Sequence, residues 1–117
     1  MKNKIPNELE VMQISLIMKV LSDASRLKIL FAINGKPKSV SEIQEMVGMS
    51  QSAVSHQLAL LKKANVVETK RDKNKIFYSI KNNGITKILD IFNKTLSEGY
   101  WWFCINYNLV LVFYLHC

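Results

Sequence analysis

Gln51, Ser52, Ser55 and His56 recur at spacings of three and four residues, which places them on one side of a helix. Amides, hydroxyls and an imidazole both donate and accept hydrogen bonds. That mixed capacity is what reading base edges in a DNA major groove requires. From Met49 to Leu61 there is no Asp, Glu, Lys or Arg, although an outer helix face is ordinarily filled with them. Val54, Leu58 and Leu61 share the opposite, apolar face. Two readings of this stretch stand side by side: a base-reading surface, or a solvated face that is merely neutral. Ser55 and His56 also raise nucleophilic catalysis. Adjacent helical residues point about 100° apart, however, and a nucleophile needs its base in reach and a third group to orient that base. No acid lies nearby and no Gly-rich phosphate loop occurs, so an enzyme is not expected.

A second set of candidates is cationic. Seven of the 16 Lys and Arg residues lie between Lys62 and Lys81, against only Glu68 and Asp72, so this window carries +5 of the net +7. Lys70, Arg71, Lys73 and Lys75 crowd into six positions. Such clustering suits a polyanion, whereas an even spread would only solubilise. A third set is Cys104, His116 and Cys117. Thiolate and imidazole are good zinc or copper ligands. The same residues also read as incidental cysteines or as a reactive thiol.

The elements that hold these residues follow from caps and periodicity. Asn7 and Glu10 have capping-box spacing before a helix from about Glu8 to Leu21. That helix carries Val11, Met12, Ile14, Leu16, Ile17, Met18, Val20 and Leu21 around most of its circumference, so burial on all sides is expected, with a second subunit as part of the cover. Ser22-Asp23 caps a helix from Ala24 to Ile33 with Leu27, Leu30 and Phe31 inward, and Asn34-Gly35-Lys36-Pro37 stops it. Ser39 and Glu42 start a third helix, ended by Gly48, and Ser50 caps the fourth. The short Gly48-Met49-Ser50 link makes a helix-turn-helix, with Gln51 and Ser52 at the end that enters the groove.

After Ala64-Asn65 the period falls to two. Val66–Arg71 and Lys75–Ile80 read as strands, joined by Asp72-Lys73-Asn74 with Asn as the residue able to take a positive φ. The hairpin should lean on the helices through Val66, Ile76 and Tyr78. A helix from about Asn83 to Glu98 follows, with Ile85, Ile88, Leu89, Phe92 and Leu96 in one stripe. The chain therefore reads as mainly α with a two-stranded β-hairpin wing, a winged helix-turn-helix domain over residues 1–98. Residues 99–117 form an atypical apolar tail with no Asp, Glu, Lys or Arg and seven of the 11 aromatics. It reads as a membrane span, as an aromatic cover for a dimer, or as the product of a changed reading frame after about Glu98. Asn106 and Asn108, and the lack of a basic anchor, weigh against the span. No apolar run directly follows Lys2 and Lys4, and only two cysteines occur, so neither a secretory leader nor a disulfide framework is expected and a cytoplasmic setting fits. A membrane-tethered or protein-interaction module built on the tail is the alternative to a DNA-binding regulator.

Residues 19–30 (Lys-Val-Leu-Ser-Asp-Ala-Ser-Arg-Leu-Lys-Ile-Leu), Met49 to Leu61, and Lys73 to Ile80 together resemble the ArsR/SmtB family of bacterial winged-helix repressors. The resemblance spans about Leu16 to Glu98. It implies a homodimer, joined through the first and last helices, that binds an imperfect palindrome in double-stranded DNA and is released by an effector. Ser50, Gln51, Ser52, Ser55, His56 and Gln57 would meet the DNA from the fourth helix, and Lys70, Arg71, Lys73 and Lys75 from the wing. Relatives that sense metals place ligands at positions matching Ser39 and Ser41, or Asn82, Gly84, Thr95 and Glu98. Hydroxyls are poor ligands for soft ions, and only Glu98 of the second set ligates well. No cofactor is expected, and neither usual metal site is present.

Overall fold

A computed structural model describes residues 4–99. The elements run α1 (Glu8–Leu21), α2 (Ala24–Ile33), β1 (Lys38–Ser39), α3 (Val40–Val47), α4 (Gln51–Lys63), β2 (Val67–Asp72), β3 (Lys75–Ile80) and α5 (Asn83–Ser97). Two compact units divide the chain, Met1–Asn83 and Gly84–Cys117.

Each helix of the first unit starts where a side chain satisfies an orphan N–H. Asn7 and Glu10 form the full reciprocal box, at 2.8 and 2.9 Å. Asp23 accepts from the Arg26 N–H at 3.1 Å, and Ser50 from that of Ala53 at 3.2 Å. Ser39 accepts from Glu42 N–H at 3.3 Å, while the Glu42 carboxylate takes the Ser39 hydroxyl at 3.1 Å. The Ser39 proton is thereby committed, so Ser41 is the donor in the 3.1 Å Ser39–Ser41 contact. Gly48, at φ 70°, ends α3 in the left-handed region that favours glycine and turns the chain into α4.

The core of this unit is built from Ile29, Leu30 and Ile33 of α2, Ile43 of α3, Val54, Leu58 and Leu61 of α4, and Val66 and Val67 at the foot of the wing. Helix α2 is the hub, touching α1, α3, α4 and β3. That position corrects its expected inward face. Leu30 is buried as expected, but Leu27 and Phe31 are only half-buried, and Ile29, Ala32 and Ile33 take the interior. With neighbours on several sides, the buried face of α2 is wider than a single stripe.

The wing differs from expectation in three respects. The sheet has three strands in the order β1-β3-β2, because Lys38 and Ser39 pair antiparallel with Tyr78 and Phe77. Two residues are too few to show a period of two, so this strand left no sequence signal. The residue with positive φ in the tip is Lys73, at 56°, rather than Asn74. Val66 anchors the hairpin as expected, joined by Val67, but Ile76 is 47% exposed. Ile76 pairs with Arg71, one step from the closing Asp72–Lys75 pair, and so sits out at the tip.

Helix α1 is also unlike its expectation within one chain. Of its apolar residues only Leu21 is buried, and Leu9, Met12 and Leu16 stand 65, 62 and 58% exposed. In the second unit, Ile85 and Leu89 of α5 are buried, while Ile91, Phe92 and Leu96 are exposed. Among the described residues no helix is long and apolar enough to cross a membrane. The tail beyond Gly99 lies outside the described residues.

Candidate nucleic-acid interface

Helix α4 is pinned from behind and open in front. Val54, Leu58 and Leu61 are fully buried, which fixes its rotation. Gln51, Ser52, Ser55 and His56 then stand exposed on the far side, with no acid in the first turn. Ser50 Oγ lies 3.3 Å from Ser52 Oγ while it caps the helix, so the start of α4 is a small cluster of hydroxyls. Gln57 departs from this group. It is half-buried, and its Oε1 is buried without a hydrogen-bond partner among the described residues.

The basic residues lie where the hairpin leaves the core. Lys70, Arg71, Lys73 and Lys75 are all exposed. Lys70 and Arg71 are consecutive in β2 and point to opposite faces of the ribbon. Arg71 Nε donates to the Lys73 carbonyl oxygen at 3.3 Å, which braces the two-residue tip. Lys62 and Lys63 add positive charge to the last turn of α4.

One connection was not anticipated. Asn65 lies between α4 and β2 with φ 64°, and its Oδ1 accepts from Lys81 Nζ at 2.9 Å. Val66 N–H donates to the Leu61 carbonyl, and Lys81 N–H donates to the Val66 carbonyl at 2.9 Å. The end of the helix and the base of the wing are thus joined by both side chain and backbone. The readiness of Asn for positive φ was the available signal; its partner, 16 positions away, had none.

The positions considered for metal binding are occupied by other contacts. Ser39 and Ser41 serve the α3 cap. Thr95 Oγ1 donates to the Ile91 carbonyl at 2.8 Å, and Glu98 lies 3.9 Å from Lys94. Asn82 and Gly84 bring no charged ligand. Among the described residues no group of three or more His, Cys, Asp or Glu could hold a metal ion. Cys104, His116 and Cys117 lie outside the described residues.

A neutral, hydrogen-bonding helix face beside a cationic hairpin, on this arrangement of helices and strands, defines a winged helix-turn-helix DNA-binding protein. Comparison with known proteins names the family. The model described as "Bacterial regulatory protein, arsR family" matches residues 23–69. The regulator KmtR of Mycobacterium tuberculosis is 34% identical over 87 residues, 72% of this chain and 67% of its own length. The regulator YgaV of Escherichia coli is 35% identical over 66% of this chain and 79% of its own. A solved E. coli structure, described as a predicted DNA-binding transcriptional regulator, superposes with a TM-score of 0.72 at 30% identity, covering 75% of this chain and 94% of that one. The AntR antimony-specific transcriptional repressor gives a TM-score of 0.76 at 25% identity, covering 85 and 90%. The chain belongs to the ArsR family. It is a DNA-binding transcriptional regulator and not an enzyme, and the membrane-tethered alternative gains no support.

Proposed function

We propose that the chain is a homodimeric repressor that sits on an imperfect palindrome through two copies of α4 and leaves when an effector binds. The observation that carries this reading is the exposed, uncharged face of Gln51, Ser52, Ser55 and His56 at the front of α4. In this reading Ser50, Gln51, Ser52 and Ser55 meet base edges or the adjoining backbone, and His56 meets a base or a phosphate. Gln57 supports the face from its half-buried position. Lys70, Arg71, Lys73 and Lys75 meet phosphates, which raises affinity without reading sequence. The exposed apolar residues of α1 and α5 support a dimer, because so many large side chains left in water favour a second copy. A regulator of the bacterial chromosome works in the cytoplasm.

Two of the similar proteins are described by metals, the cadmium resistance regulatory protein CadC and antimony-specific AntR. Serines at positions 39 and 41 lack the thiolates that soft ions select. We therefore assign no resident metal, and leave Cys104, His116 and Cys117 as the only sulfur and imidazole groups of the C-terminal segment. The test is selection of binding sites from a randomised duplex pool, followed by sedimentation of the protein with and without the selected duplex. Recovery of inverted half-sites about 10 bp or a multiple apart, bound by two chains, is the expected result. Enrichment of no motif, or binding by a single chain to a single half-site, would sink it.

A further inference from the structure

A cavity of about 420 Å³ opens between α1, α2 and the joint that links α4 to the wing. Leu16, Ile17 and Val20 of α1 and Val66 at the foot of β2 give it an apolar wall, which Ala64, the cap of α4, extends. Its charged lining residues are both cationic, Lys19 and Arg26. Lys19 is exposed, while the Arg26 side chain keeps 26% of its surface open. The Arg26 guanidinium is poorly served by its own chain. Nη2 lies 3.9 Å from Asp23 Oδ2, beyond hydrogen-bond length, and the other Asp23 oxygen is taken by the helix cap. Nε is buried and has no acceptor among the described residues. With Nε buried, the part of the Arg26 side chain left open lines the cavity together with Lys19, and two cations beside apolar walls fit a carboxylate whose body lies against the aliphatic side chains.

We propose that this cavity binds a small organic carboxylate with an apolar body, and that occupation weakens the hold on DNA. The regulatory half rests on the DNA-binding reading above. The coupling lies in the walls. Ala64 and Val66 flank Asn65, the left-handed residue that joins α4 to the wing, and the Val66 backbone bonds both to Leu61 in α4 and to Lys81 after β3. A ligand pressing on Val66 displaces the joint that sets the wing relative to the helix. It favours a state in which both cannot engage the duplex together. The volume lies within the range of small-molecule sites, about 300–1,000 Å³, and suits an acid of medium chain length.

The probe is octanoate, with 1-octanol as its uncharged counterpart, titrated by calorimetry into the full chain and into K19Q and R26Q. Saturable octanoate binding is expected, weakened by at least about tenfold in R26Q, and weakened also in K19Q and for octanol. Octanoate should in addition raise the Kd for the selected duplex at least about fivefold, the low end of ordinary allosteric coupling. Absence of saturable binding overturns the proposal. So does equal binding of octanol, or octanoate binding unchanged in both variants. Lys19 is exposed, so K19Q keeps the test decisive if R26Q fails to fold. Octanoate binding that leaves DNA affinity unchanged overturns the regulatory half. The calorimetric arm contains no DNA, so failure of the base-reading assignment would show in the duplex selection and leave the cavity result standing.

Discussion

Asn65 Oδ1 accepts a hydrogen bond from Lys81 Nζ at 2.9 Å, joining the end of the α4 helix to the exit of the wing. The two residues bracket the whole hairpin. The bond is exposed, so its net worth is modest, about 0.5–1.5 kcal/mol. Its geometric effect is larger, because it spans the chain link between α4 and the wing.

Asn65 also carries φ 64°. Asn65→Gly should keep the backbone and lose the bond, lowering stability by about 0.5–1.5 kcal/mol in urea unfolding. Asn65→Ala should cost about 1–2 kcal/mol more, because alanine keeps a Cβ at positive φ without the local side-chain hydrogen bonding that lets Asn tolerate it, whereas glycine has no Cβ to strain. Equal losses for the two variants would show that backbone strain at Asn65 has no part in the joint.

Gln51 and Ser55 sit one helical turn apart on the exposed face of α4. Alanine at either should weaken binding to the selected duplex by about 1–3 kcal/mol and leave random duplex unchanged. Anisotropy titrations on both duplexes decide it. A parallel loss on both would remove these residues from base reading.

Lys73 combines a wing cation with φ 56°. Lys73→Gly should therefore separate two properties. Relief of the left-handed strain should raise stability by about 1 kcal/mol. Loss of one phosphate contact should weaken all DNA sequences alike and lower the salt slope by about 0.9 per chain. A variant bound as tightly as the parent at every salt concentration would exclude Lys73 from phosphate contact.

Met12 is 62% exposed on α1. Met12→Glu should leave the fold of a single chain within about 0.5 kcal/mol, as surface changes usually do. In a dimer that buries α1 it places a charge in an apolar interface. Sedimentation should then report a monomer, and affinity for the two-half-site duplex should fall. An unchanged dimer would place the interface elsewhere.

Most of the architecture was readable in the chain. Asn7, Asp23, Ser39 and Ser50 announced their helices because a cap acts over three residues. The neutral face of α4 was equally visible, since side chains three and four apart share a face whatever surrounds the helix. The inward face of α2 departs from its periodicity at Leu27 and Phe31 because burial there depends on neighbours far away in sequence. The exposure of α1 likewise reflects what a single chain lacks. Its greasy circumference pointed to a second cover, and one copy leaves Leu9, Met12 and Leu16 in water.

Sequence alone thus determined the helices, the hairpin, the uncharged face of α4 and the cationic tip, all products of interactions within a few residues. Tertiary structure decided the rest. It paired Lys38 and Ser39 with β3, put the positive φ at Lys73, and drew Gln57 half inside. It also tied Asn65 to Lys81 and placed Arg26 in the lining of a cavity with apolar walls. Each of these depends on which distant segments pack together, and a contact across 16 residues leaves no period, cap or turn signature in the chain.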